Sequence, residues 1–350
     1  MDTRIRERLR HLAEDAPTGG AMPPAVRRRA RRRIGFTLVV GTVAVAAAAV
    51  GVSEGLRLAA RRATRPAQQP EASAFERARG WIAIGGAGIT AVDPSDPSNR
   101  VVLTRRPRAF DHPLGWSPDG SKLLFLSDTA PGADFEDNLH VLLADGTVVQ
   151  LTTGGFVLGG SFSPDGSHVV FSRGLREDEL FVVPVDGGEP RRIEDGGEEG
   201  ASSYPAWAPD GDRIYYFGVF RDGADDAPGL AWTSADGTGD GFLVGDLLLE
   251  EVDAETAGLA WSPDGTRLAF AGTSEEGHSA VYLVDADGMN LTEVVGSDEV
   301  RYAWPTWSPD GSRIAFVRGD TAFSVRVDGS GLRELADVPA DGRIAWNPVA

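Results

Sequence analysis

Residues 51–55 read Gly-Val-Ser-Glu-Gly, the G-x-S-x-G pattern that places a nucleophilic serine on the sharp turn of α/β-hydrolases. In that setting Ser53 would need a preceding strand, a following helix and a histidine as its base. Here the pattern follows an uncharged apolar run, and no hydrolase-sized domain follows the repeats described below. We therefore do not expect Ser53 to act as a nucleophile.

Histidine and cysteine offer little support for metal or nucleophilic chemistry. The chain has no cysteine, which excludes disulfides, thiolate metal sites and a cysteine nucleophile. Its histidines stand alone in the sequence, without an H-x-H or H-E-x-x-H pattern, at His11, His112, His140, His168 and His278. From these patterns we predict no catalytic residue, no bound cofactor and no metal ligand.

Acidic residues are the remaining candidates. Short acidic stretches occur between strand-like segments at 177–179, 198–199, 222–226, 250–255 and 275–276. They suit a solvated surface, and the alternative is a Ca²⁺ site or a docking face for a basic partner. Asp285, Asp287 and Asn290 faintly resemble a calcium loop, although an Asp-Gly hairpin turn explains them better. The formal charge of −27 on residues 67–350 argues against nucleic-acid binding by that part of the chain.

A five-residue motif that is repeated along the chain indicates which strands and turns would position candidate functional side chains. An aromatic residue is followed by Ser or Ala, then Pro, Asp and Gly, and successive aspartates are 46, 45, 54 and 46 residues apart. A period in the forties with short β patterns is typical of a four-stranded propeller blade. The aromatic, Pro, Asp and Gly positions of the copies are Trp116, Pro118, Asp119, Gly120; Phe162, Pro164, Asp165, Gly166; Trp207, Pro209, Asp210, Gly211; Trp261, Pro263, Asp264, Gly265; and Trp307, Pro309, Asp310, Gly311.

The residue types of the phrase are those of a β-turn. Proline fixes φ at the first turn position, aspartate accepts backbone N–H groups, and glycine takes a positive φ. The aromatic residue ends the preceding strand and can pack between neighbouring blades. We interpret the phrase as a structural turn, because five identical catalytic loops in one chain would make little sense.

Each copy is followed by three strand patterns, the second of which ends in an Asp-Gly hairpin signal. The chain ends supply a further blade, because residues 81–103 lack an opening phrase while Trp346 and Pro348 begin a phrase that has no blade of its own. We therefore predict an all-β fold, a six-bladed β-propeller over residues 79–350. The C-terminal strand would close it by pairing into the first blade, so that no sheet edge is left open.

These motifs resemble the WD40-like repeat of TolB-type propellers, in which WSPDG-x-[RK]-[IL]-x-F precedes a V-x-DADG hairpin. The five phrases and residues 284–288 carry the resemblance, which covers about 81–350. It implies the propeller fold but no single function, since the same repeat forms the propeller of prolyl-oligopeptidase-type peptidases. The segment 207–260 departs most from the pattern. The basic N-terminal region is unlike soluble periplasmic TolB, so a role in a Tol–Pal complex does not follow.

The first 78 residues have a different composition. Residues 34–53 contain no charge over a length of about 30 Å as a helix, which predicts a transmembrane helix rather than a cleaved signal peptide. Six arginines lie at 27–33 and four at 57–65, which favours a cytoplasmic N-terminus and an extracytoplasmic propeller. Residues 1–33 form a basic segment with a short cytoplasmic helix, and residues 54–78 form a linker.

Three functions are compatible with this organisation. The first is a non-enzymatic cell-envelope scaffold that binds a protein, peptide or glycan through propeller loops, with no cofactor. The second is a transmembrane sensor, because LAEDAP (12–17) and RRRARRR (27–33) resemble cytoplasmic segments of actinobacterial membrane proteins in the neighbourhood of anti-sigma factors. The third is a propeller-type lyase or hydrolase, which would require histidines or carboxylates gathered around the axis. We expect the first, with a protein partner and a membrane attachment through residues 34–53.

Overall fold

The computed structural model of the protein describes residues 73–106, 109–128, 137–154, 156–174, 179–193, 202–222, 225–245, 258–274, 277–339 and 342–349. The predicted cytoplasmic helix, the predicted membrane span at 34–53, the G-x-S-x-G pattern and His11 lie outside these residues. Within the described part of the chain, no helix has the length and apolar character that crossing a bilayer requires.

The described residues form a short helix and six four-stranded antiparallel sheets. The helix is α1 (Ser73–Arg77). Blade 1 contains β1 (Ile82–Ile84), β2 (Thr90–Val92), β3 (Arg100–Val102) and β24 (Ile344–Trp346). Blade 2 contains β4 (Phe110–Trp116), β5 (Lys122–Asp128), β6 (Asp137–Leu143) and β7 (Val148–Gln150). Blade 3 contains β8 (Val157–Phe162), β9 (His168–Arg173), β10 (Glu179–Pro184) and β11 (Arg191–Arg192).

The remaining blades follow in chain order. Blade 4 contains β12 (Ser202–Trp207), β13 (Arg213–Asp222), β14 (Asp225–Ser234) and β15 (Asp240–Gly245). Blade 5 contains β16 (Leu259–Trp261), β17 (Arg267–Thr273), β18 (Ser279–Asp285) and β19 (Thr292–Ser297). Blade 6 contains β20 (Tyr302–Trp307), β21 (Arg313–Arg318), β22 (Thr321–Arg326) and β23 (Arg333–Asp337). The predicted all-β six-bladed propeller is therefore confirmed.

The ring closes through the C-terminal strand, as predicted. β24 pairs antiparallel with β1, with Ile82 opposite Trp346 and Ile84 opposite Ile344. The indole Nε1 of Trp346 donates to the Gly80 carbonyl oxygen at 2.7 Å. The inner strands β4, β8, β12, β16, β20 and β24 contact one another in that order around the axis, and β24 contacts β4.

The middle strands of the blades are apolar on both faces because each blade is covered by two neighbours. Five consecutive residues of β5, Leu123 to Ser127, are buried. Apolar clusters fill the spaces between adjacent blades; Leu124 and Leu126 of blade 2, for example, share one with Val169 and Phe171 of blade 3. A strictly alternating pattern would have left one face of these strands exposed to water.

Residues 73–78, which the sequence analysis assigned to the linker, are packed on the propeller. Ala74, Phe75 and Ala78 belong to the apolar cluster between the first two blades. The Phe75 ring lies edge-on against Trp116, with 5.2 Å between centroids. The folded unit thus begins before the apolar strand pattern does, because α1 covers the outer end of this cluster.

The repeated phrase forms the turn from the first to the second strand of blades 2 to 6. In blade 5, the Ser262 hydroxyl donates to Asp264 Oδ1 at 2.6 Å, the Thr266 amide donates to the same oxygen at 3.1 Å, and Gly265 has φ +69°. These hydrogen bonds lower the pKa of Asp264 to about 2. Blade 4 has Ala208 in place of the serine and lacks that hydroxyl donor.

Blade 4 departs most from the other blades, in agreement with its longer sequence spacing. Its strands β13 and β14 are ten residues each, and their pairing extends from Arg213 opposite Ser234 to Asp222 opposite Asp225. The four-stranded sheet is intact, and residues 246–257, which follow β15, lie outside the described residues.

Candidate functional site at the central channel

The described histidines occupy four separate environments. His112 and His140 are in blade 2, His168 begins β9 in blade 3, and His278 precedes β18 in blade 5. His140 stacks on Phe125, and burial lowers its pKa to about 4. His278 lies between Asp298 at 2.5 Å and Glu293 at 3.3 Å. None of these histidines lines the central channel.

The acidic candidates are likewise dispersed. Asp287 accepts the Met289 amide, and the Asn290 side chain donates to Asp285 at 2.7 Å, so all three residues stabilise the hairpin between β18 and β19. The stretches at 198–199, 250–255 and 275–276 lie outside the described residues. Within the described residues, no three His, Asp or Glu side chains are arranged to hold a metal ion.

One buried carboxylate lies at the seam between blades 1 and 2. Asp111 is fully buried, accepts the Ser127 hydroxyl at 2.6 Å, and is 3.3 Å from the Arg106 guanidinium. Burial raises the pKa of Asp111, while Arg106 and the hydroxyl donors oppose that rise. The backbone of Asp111 also pairs with Gly86 of blade 1. This network joins two blades and is not exposed to a ligand.

The central channel is where all six blades contribute to one cavity. The cavity has a volume of about 70 Å³, and residues of every inner strand or its approach line it. The residues three positions before the aromatic of each phrase are equivalent by repeat, and all of them line the cavity. In blade order from blade 2 to blade 1 they are Pro113, Gly159, Tyr204, Gly258, Trp304 and Arg343.

Two glycines in this ring leave space for the aromatic side chains that follow them. A Cβ atom on Gly159 would lie 2.9 Å from Tyr204 Cδ1, and one on Gly258 would lie 3.2 Å from Trp304 Cε3. Each glycine thus makes room for the aromatic side chain of the next blade. The two aromatic rings are 5.8 Å apart, tilted by 60°.

The two aromatic residues have a backbone conformation that side chains disfavour. Tyr204 has φ +54° and Trp304 has φ +53°, and each lies at a bulge in its inner strand and precedes a proline. A left-handed non-glycine residue costs on the order of 1–3 kcal/mol and is found preferentially at ligand-binding and active sites. This backbone strain occurs at equivalent positions in blades 4 and 6.

Arg343 completes the ring with a positive charge. Its guanidinium carbon lies 3.8 Å from the centroid of Trp304, and Nη1 donates to the Leu158 carbonyl oxygen at 2.9 Å. Burial lowers the pKa of Arg343, whereas Tyr204 and Asp137 raise it. Within the described residues, that carbonyl is the one hydrogen-bond acceptor of a group with five N–H donors.

The described residues that line the channel offer a cation, a phenol and aromatic faces. Among the described residues that line it, the polar side chains are those of Tyr204, Thr306 and Arg343, and none is a carboxylate or histidine. A cation beside aromatic faces can hold a carboxylate or another anionic group and pack its apolar neighbour. The cavity is small compared with the roughly 300–1,000 Å³ of pockets that enclose a whole small-molecule ligand.

The sequence analysis missed these channel residues. It singled out the constant positions of the repeat and named no residue at the axis. The available signal was the position three residues before each phrase aromatic, where Tyr204, Trp304 and Arg343 differ from the residues of the other blades. Alternation of strand side chains does not say which residue faces an axis, because both faces of a blade are buried as well.

Comparison with known proteins agrees with this fold. No family model matches the chain. An uncharacterized protein of Agrobacterium fabrum is 27% identical over 201 residues, which are 56% of this chain and 61% of that protein. The chain thus spans less than two thirds of the length of this curated relative.

Two solved structures share the architecture. TolB from Acinetobacter baumannii superposes with a TM-score of 0.57 at 18% identity, over 77% of this chain and 66% of that one. A chain of the nidogen/laminin complex superposes with a TM-score of 0.59 at 12% identity, over 77% of this chain and 99% of that one. At these identities the likeness concerns the fold. Together with the repeated phrases, it shows that the described part of the chain is a six-bladed β-propeller and supports the resemblance of its repeats to those of TolB-type propellers.

Proposed function

We propose that the protein is a non-enzymatic binding scaffold whose central channel receives part of a protein or peptide partner. The observation that carries this proposal is the channel ring, in which Tyr204 and Trp304 adopt strained backbone conformations beside the half-buried Arg343. The fold alone does not require these residues, since blades 3 and 5 have glycine at the same position.

Two further points support a macromolecular partner. The cavity admits only a small group, so a ligand that fills it would make its other contacts outside the channel. The same architecture occurs in a solved complex of nidogen and laminin, so a propeller of this shape is compatible with binding another protein. A glycan ligand is an alternative with the same requirement for contacts around the channel mouth.

We also propose that the propeller is presented outside the cytoplasm by a membrane span at residues 34–53. The sequence supports this arrangement through its 20 uncharged residues and the denser arginines that precede them. A sensor role would add a cytoplasmic partner for residues 1–33. Protease protection of a C-terminally tagged chain in spheroplasts tests the orientation, because external protease would degrade an extracytoplasmic propeller but spare a cytoplasmic one.

The proposed binding role is tested by crosslinking and affinity capture of the tagged full-length protein from its own membranes. Trp304→Gly and Tyr204→Gly give the channel the residue that blades 3 and 5 already have. We expect both variants to fold and to lose the partner that the unaltered protein captures. Val102→Thr, at an exposed position of β3, serves as the matched control.

The location of the crosslinks separates the alternatives. Crosslinks near the channel that disappear in Trp304→Gly support the scaffold, and a cytoplasmic partner crosslinked to residues 1–33 adds the sensor role. Capture of the same partners by both channel variants at the same yield would contradict binding at the channel.

A further inference from the structure

Blade 6 collects three arginines on one face. Arg313 begins β21, Arg326 ends β22 and Arg333 begins β23. Arg313 and Arg326 are directly opposite each other in the antiparallel pair, and Arg333 is opposite Ser324, two residues before Arg326. All three therefore project from the same side of the sheet, because side chains alternate along a strand.

The guanidinium groups converge on shared acceptors. The buried Ser324 Oγ accepts from Arg313 Nη2 at 3.1 Å and from Arg333 Nε at 3.3 Å. Arg313 Nη2 also donates to the Gly331 carbonyl oxygen at 2.6 Å, and Arg326 Nη1 donates to Ser330 Oγ at 3.2 Å. A Cβ atom on Gly331 would lie 2.6 Å from Arg326 Nη1, so the glycine leaves space for the cluster.

Two carboxylates lie near the arginine cluster, Asp310 near Arg313 and Asp328 near Arg326, but neither forms an ion pair with it within the described residues. Among the described residues, none of the three arginines has a carboxylate oxygen within the 4.0 Å of an ion pair. Burial, followed by Arg333 and Arg326, lowers the pKa of Arg313, and Asp310 opposes this effect. Like charges directly opposite on neighbouring strands destabilise a sheet. The arrangement is unfavourable for the protein on its own, even though the chain as a whole is acidic.

The other blades show that the propeller fold does not require an arginine cluster at this position. A basic residue begins the second strand of blades 2 to 5 as well, but its cross-strand partner is never basic. In blade 5, Arg267 is opposite Asp285, which has the complementary charge. The partners in blades 2, 3 and 4 are Leu143, Pro184 and Ser234.

We propose that the arginine cluster of Arg313, Arg326 and Arg333 is a binding site for a phosphate group. Three convergent guanidinium groups match an anion that carries about two negative charges and three acceptor oxygens, as a phosphate monoester does. Arg326 and Arg333 are exposed, so the group can reach the site from solvent. Leu332, with 44% of its surface exposed, lies beside Arg333 and offers an apolar contact to whatever bears the phosphate.

The test measures phosphate binding by the purified full-length protein. Isothermal titration with inorganic phosphate is compared between the unaltered protein and an Arg326→Ser, Arg333→Thr double variant. These replacements are the residues of blades 4 and 5 at the equivalent positions, Ser234 and Thr292. We expect saturable binding that weakens by about ten-fold or more in the double variant, since two charge-assisted hydrogen-bond donors are lost. Arg100→Gln, an exposed arginine of β3, is the control and should bind phosphate normally.

Thermal unfolding provides a readout that a merely structural role would not give. In phosphate-free buffer of low ionic strength the double variant should melt at a higher temperature than the unaltered protein, because repulsion is relieved. Phosphate should raise the melting temperature of the unaltered protein only. Absence of saturable binding to the unaltered protein, equal binding by the double variant, or a lower melting temperature of that variant in phosphate-free buffer would overturn the proposal.

Two soluble probes distinguish the source of the phosphate. Tighter binding of dihexanoyl phosphatidic acid than of inorganic phosphate would identify a lipid headgroup as the ligand, with Leu332 in contact with its glycerol or acyl part. Equal affinities would identify a free phosphate group. The site shares no residue with the channel ring that contains Tyr204 and Trp304, so its failure would leave the proposed channel function untouched.

Discussion

Two positions on the same six inner strands behave in opposite ways. The residue that ends each strand is aromatic in every blade and packs where neighbouring blades meet, as Trp346 and Trp116 do. The residue three positions earlier lines the channel and ranges from glycine to arginine. Both positions are set by the same backbone, so geometry does not explain why one is constant and the other variable.

The difference separates architecture from candidate function. A residue that packs between blades meets the same environment six times and can be the same residue six times. A residue at the axis meets five non-identical neighbours and any ligand that enters, so its type depends on the blade. In this propeller the repeated residues explain stability, and the departures from repetition mark the places where a ligand could bind.

The largest expected effect is the loss of the ring-closing aromatic. Trp346→Ala removes a buried indole and its hydrogen bond to Gly80, which should lower the free energy of unfolding by about 3–5 kcal/mol. Trp304→Gly should cost far less, because the side chain is half-buried and glycine relieves the left-handed backbone strain. Urea denaturation followed by near-ultraviolet circular dichroism measures both. If both variants lose the same free energy of unfolding, the phrase aromatic is no more important for stability than the channel residue.

A smaller effect is expected at the turns, where two glycines have the same backbone angle but different neighbours. Gly120 and Gly311 both have φ +67°, and a Cβ atom would lie 2.8 Å from Val349 Cγ2 in the first case and 3.7 Å from Pro263 in the second. Each Gly→Ala change costs about 1–2 kcal/mol for the left-handed conformation. Gly120→Ala should cost at least ~1 kcal/mol more, because it also crowds the C-terminal segment that closes the ring.

Gly311→Ala is the matched control for Gly120→Ala, because the two glycines have the same backbone angle and differ only in their neighbours. The same urea denaturation measures the difference. If Gly311→Ala proves as destabilising as Gly120→Ala, contact with the closing segment is not what distinguishes the two turns.

The smallest effect concerns the hydrogen bond within the phrase. Ser262→Ala removes the hydroxyl donor to Asp264, which should raise the pKa of that carboxyl from about 2 toward its ordinary 3.8 and cost about 1 kcal/mol near neutral pH. Because the pKa is depressed in the folded protein, this stabilisation is present above pH 4 and is lost as the pH falls toward 2. Carboxyl chemical shifts in an NMR titration measure the pKa directly.

Blade 4 offers the reverse experiment. Ala208→Ser introduces the hydroxyl that this blade lacks and should stabilise the protein by about 0.5–1 kcal/mol at neutral pH.

The Ser262→Ala and unaltered proteins should converge in stability as the pH approaches 2. A stability difference that persists unchanged at low pH would show that the serine acts through packing rather than through the aspartate.

The parts of the fold that sequence reasoning predicted are those decided over short distances. The aromatic-Ser-Pro-Asp-Gly turn is stabilised within five residues, and the Asp-Gly hairpins within about as many, so each can be recognised locally. Five complete copies with a regular period, joined by the two incomplete copies at the chain ends, then imply six blades and closure of the ring. The packing of α1 was not predicted, because Phe75 stands alone in a polar segment and its partner Trp116 is distant in sequence.

The amino-acid sequence by itself therefore determined the repeat, because local hydrogen bonds encode its turns, and the count of complete and incomplete copies gave the number of blades and the closing strand. Only the tertiary structure decided which residues share the channel and which arginines share a face of blade 6. Tyr204 and Arg343 are 139 positions apart in the chain, and their shared repeat position does not by itself show that both face the axis. The six inner strands bring them together because a closed ring has one axis, and that axis is a property of all the blades at once.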